Sequence, residues 1–350
     1  MGVVNVAVLG PGGVGALVAG ALDRAGTSVL VLARDSTAAR ISERGLRVSS
    51  VLLGDFVTHP RTASRLEEPV DVLIVATKAA GLCQAIERVA ATPKLVLPLL
   101  NGLDHVAVLR ERFGEEAVVA ATIRVEADRP APGVVVHTSQ FLRVEMASRY
   151  PTARAPMEQL AGALASAGVP TRVYPPTDPA SSLAERAVTI ASTSHPDPPP
   201  AERAATMTDG GEAQVMWSKL VRLNALACTT SAYDRLLGEI RATPELRADL
   251  LGAIEEGCAV ARAEGASIPT GDPLGELTAA HATLGSSMAR DIAAGREPEL
   301  DAIPGAVLRA AARHGIECPT IERLAGMIAM RAGVPAPVVG VRDRRPTAVD

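Results

Sequence analysis

The chain has 350 residues, 47% hydrophobic and 21% charged, a balance that excludes wholesale disorder or a coiled-coil rod and, at roughly 150 residues per domain, leads us to expect two domains. Its 35 basic and 39 acidic side chains give a net charge of −4, and only 2% of residues are aromatic. With neither a basic stripe nor a base-stacking platform available, nucleic acid is not an expected partner.

The four cysteines, Cys83, Cys228, Cys258 and Cys318, lie far apart and lack zinc-ligand spacing, so we expect no metal site and read all four as buried thiols of a reducing cytoplasm. Residues 2–22 carry no charge, as a signal or membrane segment would, but they contain six glycines, Asn5 and Pro11. A strand followed by a turn is expected there instead. No other window approaches the roughly 18 uninterrupted apolar residues of a membrane helix, so no membrane contact is expected.

In chain order, residues 3–9 form a short valine-rich run ending at glycine, the pattern of a strand buried on both faces of a parallel sheet. A helix over 14–25 and a strand over 28–33 follow, and further strand-like runs span 70–76, 95–100, 118–125, 134–137, 141–145 and 171–174. Alternation that gives way to consecutive strands predicts an α/β fold over residues 1–176: a Rossmann-type doubly wound sheet with an antiparallel extension. Seven prolines, Pro175, Pro176, Pro179, Pro196, Pro198, Pro199 and Pro200, then interrupt any regular element, so residues 177–213 are read as a linker or insertion. Helical patterns over 215–226, 244–264, 274–294, 304–314 and 320–331 predict an all-α C-terminal domain over 214–332. Residues 333–350 are read as a disordered tail.

The string Gly10-Pro11-Gly12-Gly13-Val14-Gly15 fits GxGxxG. Alone it is a weak signal, but it follows a predicted strand and opens a predicted helix. In that context Gly10 permits the tight turn, Gly12 lets a pyrophosphate approach the backbone and Gly15 lets helix pack on strand, while the helix N-terminus offers amide donors to the phosphates. A ligand-free glycine turn is the alternative. After the second strand Arg34 precedes Asp35; arginine suits a 2′-phosphate and favours NADPH over NADH, against the plainer reading of a solvated loop residue.

Two more loops follow predicted strand ends, where ligands bind in open α/β sheets: Thr77-Lys78 and Asn101-Gly102. Lys78 can reach ribose or phosphate and Asn101 can offer its amide to a nicotinamide or substrate oxygen; a surface lysine and an Asn-Gly turn are the bland equivalents. In the helical half, Lys219 follows Trp217-Ser218. Partly desolvated, its ammonium can protonate a carbonyl oxygen, and snorkelling at a domain surface is the alternative. Ser287 and Asp291 stand four apart on one predicted helix face. Glu299 and Asp301 follow Pro298 in the first turn of the next helix, where the helix dipole alone accounts for acids. The six histidines, His59, His105, His137, His195, His281 and His314, are scattered, and loop or packing roles are expected for them.

Taken together, the strings VAVLGPGGVG, VLVLAR, VATKA, LLNGLDH, MWSKL, GEIRA, SSMARDIAAGREPELDAIPGAV and HGIECPT run in order along nearly the whole chain outside the proline-rich stretch and the tail, and they resemble the ketopantoate reductase (2-dehydropantoate 2-reductase) family. The resemblance implies an NADPH/NADP+-dependent enzyme that reduces a 2-oxo acid to a 2-hydroxy acid, with ketopantoate, an intermediate of pantothenate biosynthesis, as the named substrate. It implies that Lys219 protonates the ketone oxygen, Glu299 helps organise the site, Ser287 and Asn101 bind the acid, and Asp291 supports their geometry. Gly10, Pro11, Gly12, Gly13, Val14, Gly15, Arg34, Lys78 and Asn101 would hold the cofactor. A cytoplasmic protein is expected, with a small-molecule 2-oxo acid as partner; a homodimer is left open.

The chain departs from the family pattern where asparagines are usual: Leu223 and Ala227 stand four and eight residues beyond the lysine, and Leu237 holds the third place. Asn224 is one step from the first, a rotation of about 100° on a helix. Pro304 likewise replaces a common asparagine before Gly305. Two alternatives therefore stand beside ketopantoate reduction: the same chemistry on a more apolar 2-oxo substrate, and a non-catalytic NADPH-binding regulator.

Overall fold

The computed structural model describes residues 4–174 and 210–339; the expectations for the proline-rich stretch over 175–209 and for the tail beyond 339 fall outside the described residues. The chain runs through β1 (Asn5–Leu9), α1 (Gly13–Arg24), β2 (Ser28–Leu32), α2 (Asp35–Arg44), β3 (Leu46–Ser50), β4 (Phe56–Thr58), β5 (Arg61–Ala63) and β6 (Val72–Val75). It continues with α3 (Leu82–Ile86), β7 (Leu95–Pro98), α4 (His105–Phe113), β8 (Ala120–Arg124), β9 (Ala127–Ala131), β10 (Val134–His137), β11 (Arg143–Ala147), α5 (Arg154–Ser166) and β12 (Thr171–Val173).

Five parallel strands form one sheet in the order β5-β2-β1-β6-β7. Alternation decides which face each side chain joins. Val6, Val8, Val29, Val31, Ile74 and Leu97 enter one core cluster with Leu17 of α1 and Leu160 of α5. Ala7, Leu9, Leu30, Leu32, Leu73 and Val96 enter the other, with Ile86 of α3 and Leu109 of α4. Each fully buried Val, Leu or Ile contributes roughly 1.5–3 kcal/mol of transfer free energy, so both faces must be covered and the sheet is doubly wound. The topology reverses between β1 and β6, which places the ligand-binding edge at the C-terminal ends of those strands.

The expected extension is present. β8 pairs antiparallel with β11, and β11 runs parallel to β12; a bridge from Val118 to Val96 joins this part to β7. A separate four-stranded sheet, β4-β3-β10-β9, lies outside the sequence reading except for β10. Its strands are short and, β10 aside, of mixed polarity, and β9 carries Pro130, which is tolerated because β9 is an edge strand with no partner strand on its outer side.

Contacts divide the described chain after Lys219: one unit takes the residues up to Lys219 and Glu264–Ser267, the other Leu220–Ala263 and the residues from Ile268 on. The helices are α6 (Gly210–Tyr233), α7 (Leu237–Ala242), α8 (Pro244–Ala263), α9 (Gly271–Ala279), α10 (Ser287–Ala293), α11 (Ala306–Arg313) and α12 (Pro319–Ala332). Helix α6 begins ahead of the boundary expected at 214, and Lys219, read from sequence as part of the helical half, counts with the sheet-bearing unit.

The single helix expected over 274–294 is two. Between α9 and α10 the chain breaks so that the Ala282 and Leu284 carbonyls accept from the amides of Gly238 and Leu237, at 2.8 and 2.9 Å. Ser286 then caps α10 by accepting from the Ala289 amide at 3.0 Å. Pro304, expected to start a helix, sits instead inside a wide π-type turn over Asp301–Gly305, closed by Gly305 N–H to the Leu300 carbonyl at 3.1 Å. Without an N–H, proline cannot join the regular ladder, and the widened turn accommodates it. A further correction concerns the thiols: Cys228, Cys258 and Cys318 are buried, whereas Cys83 is exposed on α3. Among the described residues, no helix is long and apolar enough to cross a membrane and no cluster of metal-ligating side chains occurs.

Candidate active site

The loops that follow β1, β2, β6 and β7 lie at the C-terminal edge of the parallel sheet and carry the residues singled out from sequence. After β1 the backbone turns at Gly10, with φ of +92°, a conformation that side chains disfavour. A Cβ on Gly15 would lie 2.2 Å from the Gly10 carbonyl oxygen, and one on Gly13 would lie 2.1 Å from that of Ala127 in β9. Around Gly12 the backbone is open, since nothing approaches a Cβ there within less than 3.9 Å. Pro11 is buried and Val14 half-buried. Helix α1 starts with no side-chain cap and no acid in its first turn, so its first amides and its positive dipole end present themselves to an anion.

Thr77, after β6, has its Oγ1 buried without a hydrogen-bond partner, and its methyl group would lie 2.8 Å from a Cβ on Gly10. An orphaned hydroxyl beside an open glycine cradle fits a phosphate-bearing ligand. Lys78 follows and is exposed. Arg34 is exposed at the N-cap of α2, with Asp35 in the first turn.

Beyond β7, Asn101 is half-buried, and its Oδ1 accepts a hydrogen bond from Lys219 Nζ at 2.8 Å. Lys219 reaches it from α6, which is held to the sheet-bearing unit at two levels. Arg124 Nη2 donates to the Ser218 carbonyl at 3.2 Å. One helical turn and more before it, Glu212 is 0% exposed and accepts from Arg110 Nη2 at 2.8 Å on each carboxylate oxygen, with the Arg149 amide adding a third bond at 3.1 Å. The ammonium is therefore held by charge-assisted bonding to a neutral amide, able both to attract an anion and to donate a proton.

Four side chains were not singled out from sequence. Thr77 was noted only as a neighbour of Lys78. The buried pair Arg110–Glu212 has no local signature, since its members are 102 residues apart. His105 opens α4 inside the LLNGLDH string and is buried; burial, and then the nearby Lys219 charge, push its pKa down to about 3, against a smaller upward pull from the Asn101 backbone.

In the second unit, Ser287 is exposed in the first turn of α10 while Asp291, four residues on, is buried and accepts from Arg296 Nε at 2.8 Å. The two do not share an environment. Glu299 is half-buried just ahead of the wide turn and its carbonyl accepts from the Ile303 amide at 3.0 Å. Of the positions that lack asparagine, Leu223 is half-buried and Ala227 and Leu237 are 0% exposed. Asn224 is also fully buried, its Oδ1 taken by the Cys228 thiol and its Nδ2 without a partner.

Two family models match the chain: "Ketopantoate reductase PanE/ApbA" over residues 6–148 and "Ketopantoate reductase PanE/ApbA C terminal" over residues 213–332. The 2-dehydropantoate 2-reductase of Mycobacterium tuberculosis is 30% identical over 343 residues, 95% of this chain and 99% of the relative. That of Halobacterium salinarum is 29% identical over 333 residues, 93% of this chain and 97% of the relative. Among solved structures, a 2-dehydropantoate 2-reductase from Geobacter metallireducens superposes with a TM-score of 0.75 at 25% identity, covering 93% of this chain and 99% of its own.

Proposed function

We infer the reaction from one premise: the chain belongs to the ketopantoate reductase family. It is an oxidoreductase that, in our reading, reduces a 2-oxo acid to the 2-hydroxy acid with NADPH, ketopantoate to pantoate being the leading case. The observation that carries this reading is the Lys219–Asn101 bond of 2.8 Å at the ligand-binding edge of the sheet.

The open backbone at Gly12, the uncapped start of α1 and the orphaned Thr77 hydroxyl fit a dinucleotide. Gly10, Pro11, Gly12, Gly13, Val14 and Gly15 would line its pyrophosphate, with Lys78 beside it and Asn101 near the nicotinamide. Arg34, exposed at the end of β2, would meet a 2′-phosphate, and that is why NADPH is preferred to NADH. When bound, the cofactor supplies the hydride. Lys219 attracts the substrate carboxylate and donates a proton to the ketone oxygen as that oxygen gains negative charge. Asn101 orients the ammonium and offers its amide to the ligand. From the second unit, the family resemblance gives Ser287 to the acid's oxygens, Glu299 to the organisation of the site and Asp291 to its geometry; the bond from Arg296 suits Asp291 to a supporting role.

Lys219→Ala is expected to lower ketopantoate-dependent NADPH oxidation by at least ~100-fold, the lower end of general-acid contributions. Undiminished turnover would remove the lysine from this role, and the same assay run with NADH reads the cofactor preference. A second reading, the same reduction on a more apolar 2-oxo acid, is favoured by Leu223, Ala227 and Leu237, which offer no side-chain hydrogen bond where the family usually has asparagine.

A further inference from the structure

His105 opens α4 four residues after Asn101 and is 4% exposed. The Asn101 backbone is the ring's hydrogen-bond contact, and no side chain among the described residues pairs with Nδ1 or Nε2. A neutral imidazole carries one donor and one acceptor; a backbone carbonyl can take only the donor, and leaving the acceptor unmet in the interior is costly, so a ring so placed calls for a reason beyond packing. An apolar side chain of the same shape would fill the space without that cost. The charged group that acts on the ring is Lys219 of α6, and the Asn101 backbone acts on it from the loop after β7. Lys219 and Asn101 are themselves joined side chain to side chain. Three polar groups from two helices and one loop thus converge, and the acceptor nitrogen of the ring has no side-chain partner.

We propose that His105 is a positioning residue for Lys219, its neutral imidazole serving as a second acceptor that holds the ammonium beside Asn101 as the substrate oxygen arrives. This rests on the reading of Lys219 as proton donor. A carbonyl oxygen drawn to the Asn101 amide competes for the group that now holds the lysine, and the imidazole lone pair keeps the ammonium in place. Lys219 in turn favours the neutral ring over the imidazolium, since two like charges would repel. An acceptor beside an ammonium favours its charged form; loss of that acceptor lets Lys219 give up its proton at lower pH.

The test is kcat/KM for 2-oxo acid reduction as a function of pH. In His105→Phe the alkaline limb is expected to move down by about one pH unit, the equivalent of one neutral hydrogen bond, whereas His105→Gln, which keeps an acceptor, returns the limb close to its original place. Independently of turnover, 15N-histidine NMR of the protein without cofactor should show the His105 ring neutral from pH 8 to pH 5 in the unmodified chain, and protonating at higher pH in Lys219→Ala. A limb that stays put in His105→Phe, or a ring that titrates near 6.5 in the unmodified chain, overturns the proposal. If His105→Phe does not fold, the NMR comparison decides. Loss of activity in Lys219→Ala with an unmoved limb in His105→Phe defeats this inference alone, whereas full activity in Lys219→Ala defeats the underlying reading.

Discussion

His105 is held neutral in the fold but is an ordinary imidazole once the chain unfolds, and this difference makes stability depend on pH. Its pKa is about 3 when folded, against 6.5 for the free side chain. Below about 6.5 the unfolded chain takes up a proton that the folded chain refuses. Stability is therefore complete above that pH and is lost as pH falls toward about 3, with a slope approaching about 1.4 kcal/mol per unit. Burial also lowers the pKa of His137, which is bonded to Ser50 and Ser139 and acts in the same direction. In urea titrations at pH 7 and pH 5, His105→Gln is expected to lose about 2 kcal/mol less than the unmodified chain between the two conditions. Lys219 and Asn101 were legible in sequence because each stands in a short string whose chemistry is local. The significance of His105 was not, because it depends on the absence of water around the ring, a property of packing that no neighbouring residue encodes.

At the scale of elements, helix α6 carries Glu212 and Lys219 seven residues apart, two turns along one face. Arg110 of α4 grips the first of these at 2.8 Å, and the pair is 8% and 1% exposed at the side chains. Removing one member of a buried pair strands the other's charge, at about 3–5 kcal/mol, while exchanging both for apolar residues is far less costly. Glu212→Ala should accordingly be destabilised by about that amount and should lower kcat as α6 loosens, whereas Arg110→Met combined with Glu212→Leu should recover most of the stability; both are read by urea unfolding and steady-state assay. Strands β1, β2, β6 and β7 were legible because burial on both faces demands unbroken apolar runs. Strands β3, β4, β5 and β9 were not, since three to five residues of mixed polarity carry no period long enough to detect. The split between α9 and α10 was hidden for another reason: the break serves the amides of Leu237 and Gly238 in α7, a tertiary demand from a distant part of the chain.

Over the whole molecule, alternation of strands and helices foretold the doubly wound sheet; the division after Lys219 was not legible, because it follows from tertiary contacts rather than from local pattern. The same division of labour bears on selectivity. In the proposed reading the polar groups at the sheet edge are backbone, Asn101 and Lys219, which would recognise what all 2-oxo acids share, while the side chains of Leu223, Ala227 and Leu237 offer no hydrogen bond. A site that bonds a substrate hydroxyl rejects the analogue lacking it by 10⁴-fold or more, whereas apolar surroundings discriminate by roughly 10²-fold or less. We expect kcat/KM for ketopantoate to exceed that for the same acid without its hydroxyl by under about 10²-fold, measured by NADPH absorbance across a panel of 2-oxo acids. A ratio near 10⁴ would mean that another polar group has taken over the missing contact.

The placement of the thiols has a practical outcome. Cys228, Cys258 and Cys318 are buried, and burial raises the pKa of each, that of Cys318 to about 12, which starves them of the reactive thiolate. Cys83 alone faces solvent, five residues beyond Lys78 in the chain. A maleimide dye is therefore expected to couple once per chain, near in sequence to the loops proposed to hold the dinucleotide, and its fluorescence can test docking of a nucleotide without any engineered handle.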